Sequence, residues 1–297
     1  MARARSLART ESREFWLFVA PWLIGFGAFT VVPLVLSIGI SLARWDILTP
    51  PRFVGLGNYL NLLSDPKVWG ALRNTLFYTA FGVPATLLFG LGVAILVNQR
   101  LRGLEMLRTM YYLPMVLSGV AAALLWKWIL NPVFGILNHL LVEVHLPPLG
   151  WLTDPLWAKP AIVIYRSWYI GGTMMIFLAA LRAIPAVFYE AAIVDGAGAW
   201  QKFRRITLPM LTPAISFTVI TGIINSLQIF TEVYVMIGTT ADDHTRPLLH
   251  YIWLNAFSYH RMGYASALSW LLFSAILCVT LVQLGLQRKW VYYEAER

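Results

Sequence analysis

The chain has 297 residues, 59% hydrophobic and only 12% charged, with a mean hydropathy of +0.66 and a net charge of +9. Soluble domains carry about 25% charged residues, so half that share excludes an ordinary water-soluble globule and predicts an all-α, polytopic membrane protein. The basic balance does not make a nucleic-acid binder, because the basic residues are divided among separate segments and form no continuous stripe.

A helix needs about 20 apolar residues to cross ~30 Å of hydrocarbon, and six runs qualify: 15–42, 75–98, 109–130, 160–182, 210–237 and 264–287. The first comes after a basic segment that looks like the start of a signal peptide. Its apolar run is much longer than the roughly 7–15 residues of a signal h-region, so it reads as a retained helix. Between the first two spans, residues 45–75 mix Pro and Gly turn signals with a short apolar-periodic piece, a loop expected to pack on the outer membrane surface. The second-to-third connection is only NQRLRGLEMLR. The loop after the third span holds a two-turn helix over Leu137–Val144, and Trp126, Trp128, Trp151 and Trp157 flank it as an interfacial aromatic belt would. Arg166 and Lys127 fall near outer span ends, where long cationic side chains snorkel to water. The sixth span holds Cys278, the single cysteine, so no intrachain disulfide is possible.

With an even number of spans, both termini lie on one side. That side carries fourteen Lys and Arg residues against seven on the other, so both termini are expected in the cytoplasm. No large soluble insertion interrupts the spans, and residues 1–297 read as one transmembrane domain.

Enzymatic chemistry finds no footing. There is no Gly-Lys pair for a phosphate-cradling Walker loop, no Gly-x-Ser-x-Gly, and the five histidines lie in outer loops without metal-ligand spacing. Transport remains. On the fifth span Thr221, Asn225, Gln228 and Glu232 fall at i, i+4, i+7 and i+11, one helical face. Amides buried in hydrocarbon cost several kcal/mol each unless they are bonded, so this face must meet protein or a wet cavity. Uncharged donors and acceptors suit a polyhydroxylated solute; interhelical hydrogen bonds are the alternative use. On the fourth span Tyr165 and Trp168 offer rings for a sugar face, and Gly171 and Gly172 permit close approach or local unwinding. Glu232 is the one carboxylate well inside a span, and no pair of broken helices is evident, which argues against an ion-coupled carrier.

Energy must then enter elsewhere, and the loop between the fourth and fifth spans, 183–208, is the place. Pro185 can open a helix over Ala186–Val194, the DGAG run Asp195–Gly198 turns the chain with Asp195 able to cap the next helix, and that second, short helix ends at Pro209. Ala191, Ala192, Ile193 and Ala197 make a low-profile apolar face that needs another surface.

Glu190, Ala191, Ala192, Gly196, Ile206, Leu208 and Pro209 reproduce the pattern Glu-Ala-Ala, three residues, Gly, nine residues, Ile-x-Leu-Pro. In this the chain resembles the inner-membrane permease subunits of ATP-binding-cassette importers of the carbohydrate type. FVGLGNYLNLLSDPKVWGALRNT, YYLPMVLSGVAAALLWKWILNP and SLQIFTEVYVMIGTT extend the likeness to the first permease of sugar and glycerol-phosphate systems. The resemblance implies a coupling helix formed by Glu190, Ala191, Ala192, Asp195, Gly196, Ala197, Ile206, Leu208 and Pro209, docked on a cytoplasmic ATPase. It further implies a second homologous permease, two ATPase copies that use ATP and Mg²⁺, an external solute-binding protein, and no cofactor bound by this chain. The setting would be a bacterial or archaeal cytoplasmic membrane. It places sugar contacts on positions that include Trp168, Gly172, Thr221, Asn225 and Gln228. A glycerol-3-phosphate or phosphodiester importer stays open within the family, disfavoured by the lack of an evident span-centre cation, and a stand-alone secondary carrier stays open outside it.

Overall fold

The computed structural model describes residues 2–99, 103–238 and 243–292. Arg100, Arg102 and Arg297, which enter the charge comparison, lie outside the described residues. The chain divides into two compact units, Met1–Ser64 with Ile252–Leu271 and Asp65–Tyr251 with Leu272–Arg297.

In the first unit Ala2–Phe26 (α1) runs through a π-helical turn, Gly27–Val31, into Val32–Ser41 (α2). Glu14–Ser41 is 28 residues long and apolar enough to cross a membrane, and none of its most apolar window is buried within the chain. Strands Ala43–Arg44 (β1) and Arg52–Phe53 (β2) then pair antiparallel, and Gly57–Ser64 (α3) comes next. The end of α2 is satisfied from α3: the buried Asn58 Nδ2 donates to the carbonyls of Ser41 at 2.8 Å and Ala43 at 2.9 Å. Such pairing matters because helix-end carbonyls have no partner of their own.

The second unit opens with Pro66–Val97 (α4), 32 residues, nucleated by Asp65, whose carboxylate accepts from the Lys67 N–H at 2.9 Å, with Pro66 at the first position. This span starts well before residue 75, because its first turns are amphipathic and escape a hydropathy count. Leu104–Val116 (α5) and Gly119–Ile129 (α6) share the third span but bend by 103°. The loop after α6 forms Ile136–Glu143 (α7), close to the expected two turns. Trp151 is buried rather than interfacial: its Nε1 donates to Asn138 Oδ1 at 2.8 Å, and its ring meets that of Trp157 edge-on at 5.5 Å.

The fourth span is Pro155–Trp168 (α8) and Gly171–Ala183 (α9), bent by 46°. The next loop holds Ala186–Val194 (α10) and Ala199–Lys202 (α11), then a π turn, Phe203–Thr207, and Leu208–Met210 (α12). Thr212–Leu227 (α13) and Thr231–Met236 (α14) cover the expected fifth span, Leu248–Trp253 (α15) lies in the loop after it, and Met262–Gln287 (α16) covers the expected sixth. Among the described residues, three helices are long and apolar enough to cross a membrane, and three bent pairs, α5 with α6, α8 with α9 and Ala199–Met210 with α13, bring the count to six if each pair is one span; the bends differ from the expectation that no pair of broken helices is evident. The second helix of the cytoplasm-assigned loop does not stop at Pro209; it continues to Met210 and turns by 61° into α13. α4 packs against α8, α9 and α13, and α14 packs against α6. Two buried clusters brace this frame, one around Tyr78, Ile162, Ile229 and Val233, the other around Ala94, Met174, Phe177 and Leu211.

Asn74 on α4 is fully buried; its Nδ2 donates to the carbonyls of Asp243 at 2.8 Å and Arg246 at 3.0 Å, and its Oδ1 accepts from Lys159 Nζ at 3.2 Å. Asn74→Leu removes all three bonds. A buried polar group left unmatched costs about 1–3 kcal/mol, so the purified variant is expected to melt several degrees lower, read by intrinsic fluorescence on heating. An unchanged midpoint would show that this anchor contributes nothing.

Candidate functional site

The breaks in the fourth and fifth spans have local causes. At Gly171 an added Cβ would lie 2.7 Å from the Tyr111 carbonyl oxygen and 3.0 Å from Tyr112 Cα, so only glycine lets α9 pack this closely on α5. Tyr169 and Ile170 make the two-residue joint. In the fifth span helix geometry lapses over Gln228–Phe230 and resumes at Thr231. Phe230 and Tyr234 sit edge-on against His250, with centroids 5.8 and 5.7 Å away, and stack on each other at 5.2 Å. Burial pushes the His250 pKa down to about 4, so near neutral pH it packs there as an uncharged ring.

Between these breaks, within the second unit, opens a cavity of ≈ 440 Å³. α4 lends it Gly82, Val83, Thr86 and Leu87, and α6 lends Gly119. The fourth span contributes Tyr165, Arg166, Tyr169, Gly172, Thr173 and Ile176, and the fifth contributes Thr218, Thr221, Gly222, Asn225, Thr231 and Glu232. Glycine again sets the closeness of the walls, because a Cβ on Gly222 would meet Val83 Cγ1 at 3.3 Å.

Of the expected solute-path residues, Tyr165, Gly172, Thr221, Asn225 and Glu232 line this cavity, whereas Trp168, Gly171 and Gln228 do not. Trp168 is turned into an aromatic cluster with Trp126 at 5.8 Å and Tyr169 at 5.6 Å. Gly171 is spent on packing. Gln228 sits at the end of α13 and its Nε2 donates to the Ile224 carbonyl at 3.2 Å. The stripe does not run on one continuous helix: α13 ends at Leu227, Gln228 leaves the cavity wall at the break, and Glu232 returns to it from α14.

The larger correction concerns Arg166. It does not snorkel from a span end; its Nη1 lies 3.6 Å from Glu232 Oε1, with the two side chains only 17% and 21% exposed. Lys127, also assigned to the interface, donates from Nζ to the Val235 carbonyl at 3.2 Å. The cavity thus pairs one cation and one anion among hydroxyls, an amide and aromatic rings. Arg166, Tyr169, Thr173 and the α4 residues escape a reading of the sequence as lining. The available signal is Arg166 five residues before a Gly-Gly pair, on a span whose neighbour carries a lone Glu.

In the loop, Glu190, Ala191 and Asp195 are exposed and Ala192 and Ala197 half-buried. Asp195 does not cap the second helix; it ends α10, and Gly196 comes next at φ +72°. The turn closes through Gly196 N–H to the Ile193 carbonyl at 3.0 Å and Ala197 N–H to the Ala192 carbonyl at 2.8 Å, a glycine-type helix stop. Gly198 caps α11, its N–H donating to Gln201 Oε1 at 3.0 Å. Tyr189 and Thr207 hydroxyls, 2.9 Å apart, tie the two arms together. Ile206, Leu208 and Pro209 are half-buried at the foot of the second arm.

Broken apolar spans around a polar cavity, joined to an exposed helix-turn-helix, define a polytopic transport protein of the α-helical membrane class. Residues 75–292 match the model of the "binding-protein-dependent transport system inner membrane component" family, and the chain belongs to that family. It is 35% identical to a probable ABC transporter permease protein of Bacillus subtilis (strain 168), YesP, over 100% of this chain and 97% of the relative. It is 40% identical to the lactose transport system permease protein LacF of Rhizobium radiobacter, covering 77% of this chain and 78% of the relative. Its fold superposes with a TM-score of 0.81, at 26% identity and over 96% of this chain and 99% of the other, on a chain of a bacterial ABC transporter involved in import of the acidic polysaccharide alginate. This chain is accordingly a transport component with the fold of an importer permease.

Proposed function

We propose that the chain is the permease subunit of an ATP-driven sugar importer, moving a sugar delivered by an external binding protein through alternating access. The observation that carries this reading is the cavity: ≈ 440 Å³, within the range of small-molecule sites, and lined by hydroxyl, amide and aromatic groups that match a sugar's alternating polar edge and apolar face. The named function of the lactose relative supports the same class.

In this reading Glu190, Ala191, Ala192, Asp195, Gly196, Ala197, Ile206, Leu208 and Pro209 form the element that docks on one of two cytoplasmic ATPase subunits. ATP and Mg²⁺ act there, and this chain binds no cofactor itself. A second permease completes the pathway and both termini face the cytoplasm. Support for the docking role comes from composition: the loop leaves Val187, Ile193, Val194 and Trp200 at 61%, 61%, 88% and 69% exposure, an apolar face outside the spans that calls for a partner.

The test uses the four-subunit importer and its binding protein in proteoliposomes. Asn225→Ala deletes an exposed cavity amide and is expected to raise the KM for sugar uptake about tenfold, the order of one or two hydrogen bonds, with ATP hydrolysis still coupled. Uptake by this chain alone, indifferent to ATP, would replace the importer with a secondary carrier. An unchanged KM would remove Asn225 from the path.

A further inference from the structure

The Arg166–Glu232 pair does something that neither the hydroxyls nor the rings of the cavity can do. Among the described residues the two are the only lining side chains with full charges, they stand on different spans, and they meet at 3.6 Å, beyond hydrogen-bond reach. Arg166 Nη1 is out of contact with solvent and finds no hydrogen-bond acceptor among the described residues. The backbone of Gly82 leaves room beside it, an added Cβ there lying 3.9 Å from Arg166 Nε. A guanidinium is donor-only and a carboxylate acceptor-only. The gap therefore presents a donor and an acceptor side by side, with no net charge.

We propose that this pair sets the charge class of the transported sugar, admitting an uncharged sugar whose hydroxyls bridge the gap and disfavouring an acidic one. The inference rests on the sugar reading above. A sugar hydroxyl both accepts and donates, so from the cavity it can accept a hydrogen bond from the lining Arg166 guanidinium and donate one to Glu232 without disturbing the ion pair. A uronate or phosphate could accept from Arg166 as well, but only by standing beside the Glu232 carboxylate. Like charges within a few ångströms oppose one another, and more strongly where water is scarce. Glu232 thus cancels the attraction for anions that Arg166 alone would exert.

The experiment measures binding to the assembled importer in lipid nanodiscs, by displacement within a panel of matched neutral and uronate disaccharides in gluco, galacto and manno configurations. The wild type is expected to prefer the neutral member of its best-bound pair by about tenfold or more. Glu232→Gln should shift that ratio toward the uronate by about tenfold or more, having left Arg166 without its counter-charge. Glu232→Asp, which keeps the charge, should retain the wild-type ratio and controls for folding, and only complexes that elute assembled are compared. A ratio unchanged within about twofold in an assembled Glu232→Gln importer would overturn the inference and leave the sugar reading intact. Binding of no sugar in the panel by a wild type that still transports would overturn both.

Discussion

Exchanging Gly196 for valine is expected to lower ATP-driven uptake by about tenfold or more while the permease still folds and still binds sugar. Gly196 sits at φ +72°, where a side chain crowds the following carbonyl at roughly 1–2 kcal/mol, and β-branching worsens the fit. The turn it makes is stitched by the Gly196 and Ala197 amides to the Ile193 and Ala192 carbonyls. It sets the angle between α10 and α11, and, on the proposed docking role, the shape offered to an ATPase. Because nothing lies within 4 Å of where the new Cβ would sit, the penalty falls on backbone conformation alone, which separates this variant from a packing defect. Asparagine tolerates the left-handed region, and Gly196→Asn should keep most of the uptake. Wild-type transport by Gly196→Val would mean that coupling does not depend on the geometry of this turn. ATPase co-purification with each variant tells lost docking from lost transmission.

A second large effect is expected at Gly171. Even alanine there puts a carbon 2.7 Å from the Tyr111 oxygen and 3.0 Å from Tyr112 Cα, both main-chain atoms, so α5 and α9 must part. Overpacking of this kind costs about 1–3 kcal/mol, and Gly171→Leu should cost more. The neighbouring Gly172 is the control, since its added Cβ would meet only the Met115 side chain, Sδ at 3.2 Å and Cε at 3.4 Å, which can swing aside. Thermal melting of detergent-purified protein is expected to fall by several degrees for Gly171→Ala and little for Gly172→Ala, although Gly172→Ala intrudes on the cavity and should impair uptake. Equal midpoints for the two would sink the packing role of Gly171.

The long apolar helices and the Ala186–Val194 helix are legible in the sequence because apolar run length, a preceding proline and a following glycine are local signals. The illegible part depends on direction. Hydropathy counts residues but cannot see a run turn by 103° after Val116; that turn rests on the surfaces the two halves pack against. The stripe Thr221, Asn225, Gln228, Glu232 assumes one unbroken helix, and it holds through Asn225 because α13 is regular to Leu227. It fails at Gln228, where the aromatic contacts of Phe230, made to His250 from a distant loop, hold the break open. Arg166 is misplaced for a simpler reason. Hydropathy starts the fourth span at 160, whereas α8 begins at Pro155 behind the Asp154 cap, and a late start moves Arg166 toward the span's edge. Of the two uses foreseen for the Gly pair, close approach is what Gly171 serves; the helix break lies just before the pair, at Tyr169–Ile170, and that Trp168 and Arg166 point to different surroundings comes from tertiary packing alone.

The two-residue joint at Tyr169 and Ile170 also has a mechanical meaning. Each residue adds only two soft torsions, the peptide planes being stiff, so α8 and α9 behave as two rods with a short hinge between them. The joint runs across the cavity wall: Tyr165 and Arg166 ride on one rod, Gly172 and Thr173 on the other. On the proposed coupling role, a pull on α10 would reach the second rod directly, through the chain at Ile184 and Pro185, and the first only after bending the hinge. On that role, one small rotation there would change the bore of the cavity and the reach of its guanidinium together, without unwinding either helix, because lining residues sit on both sides of the joint.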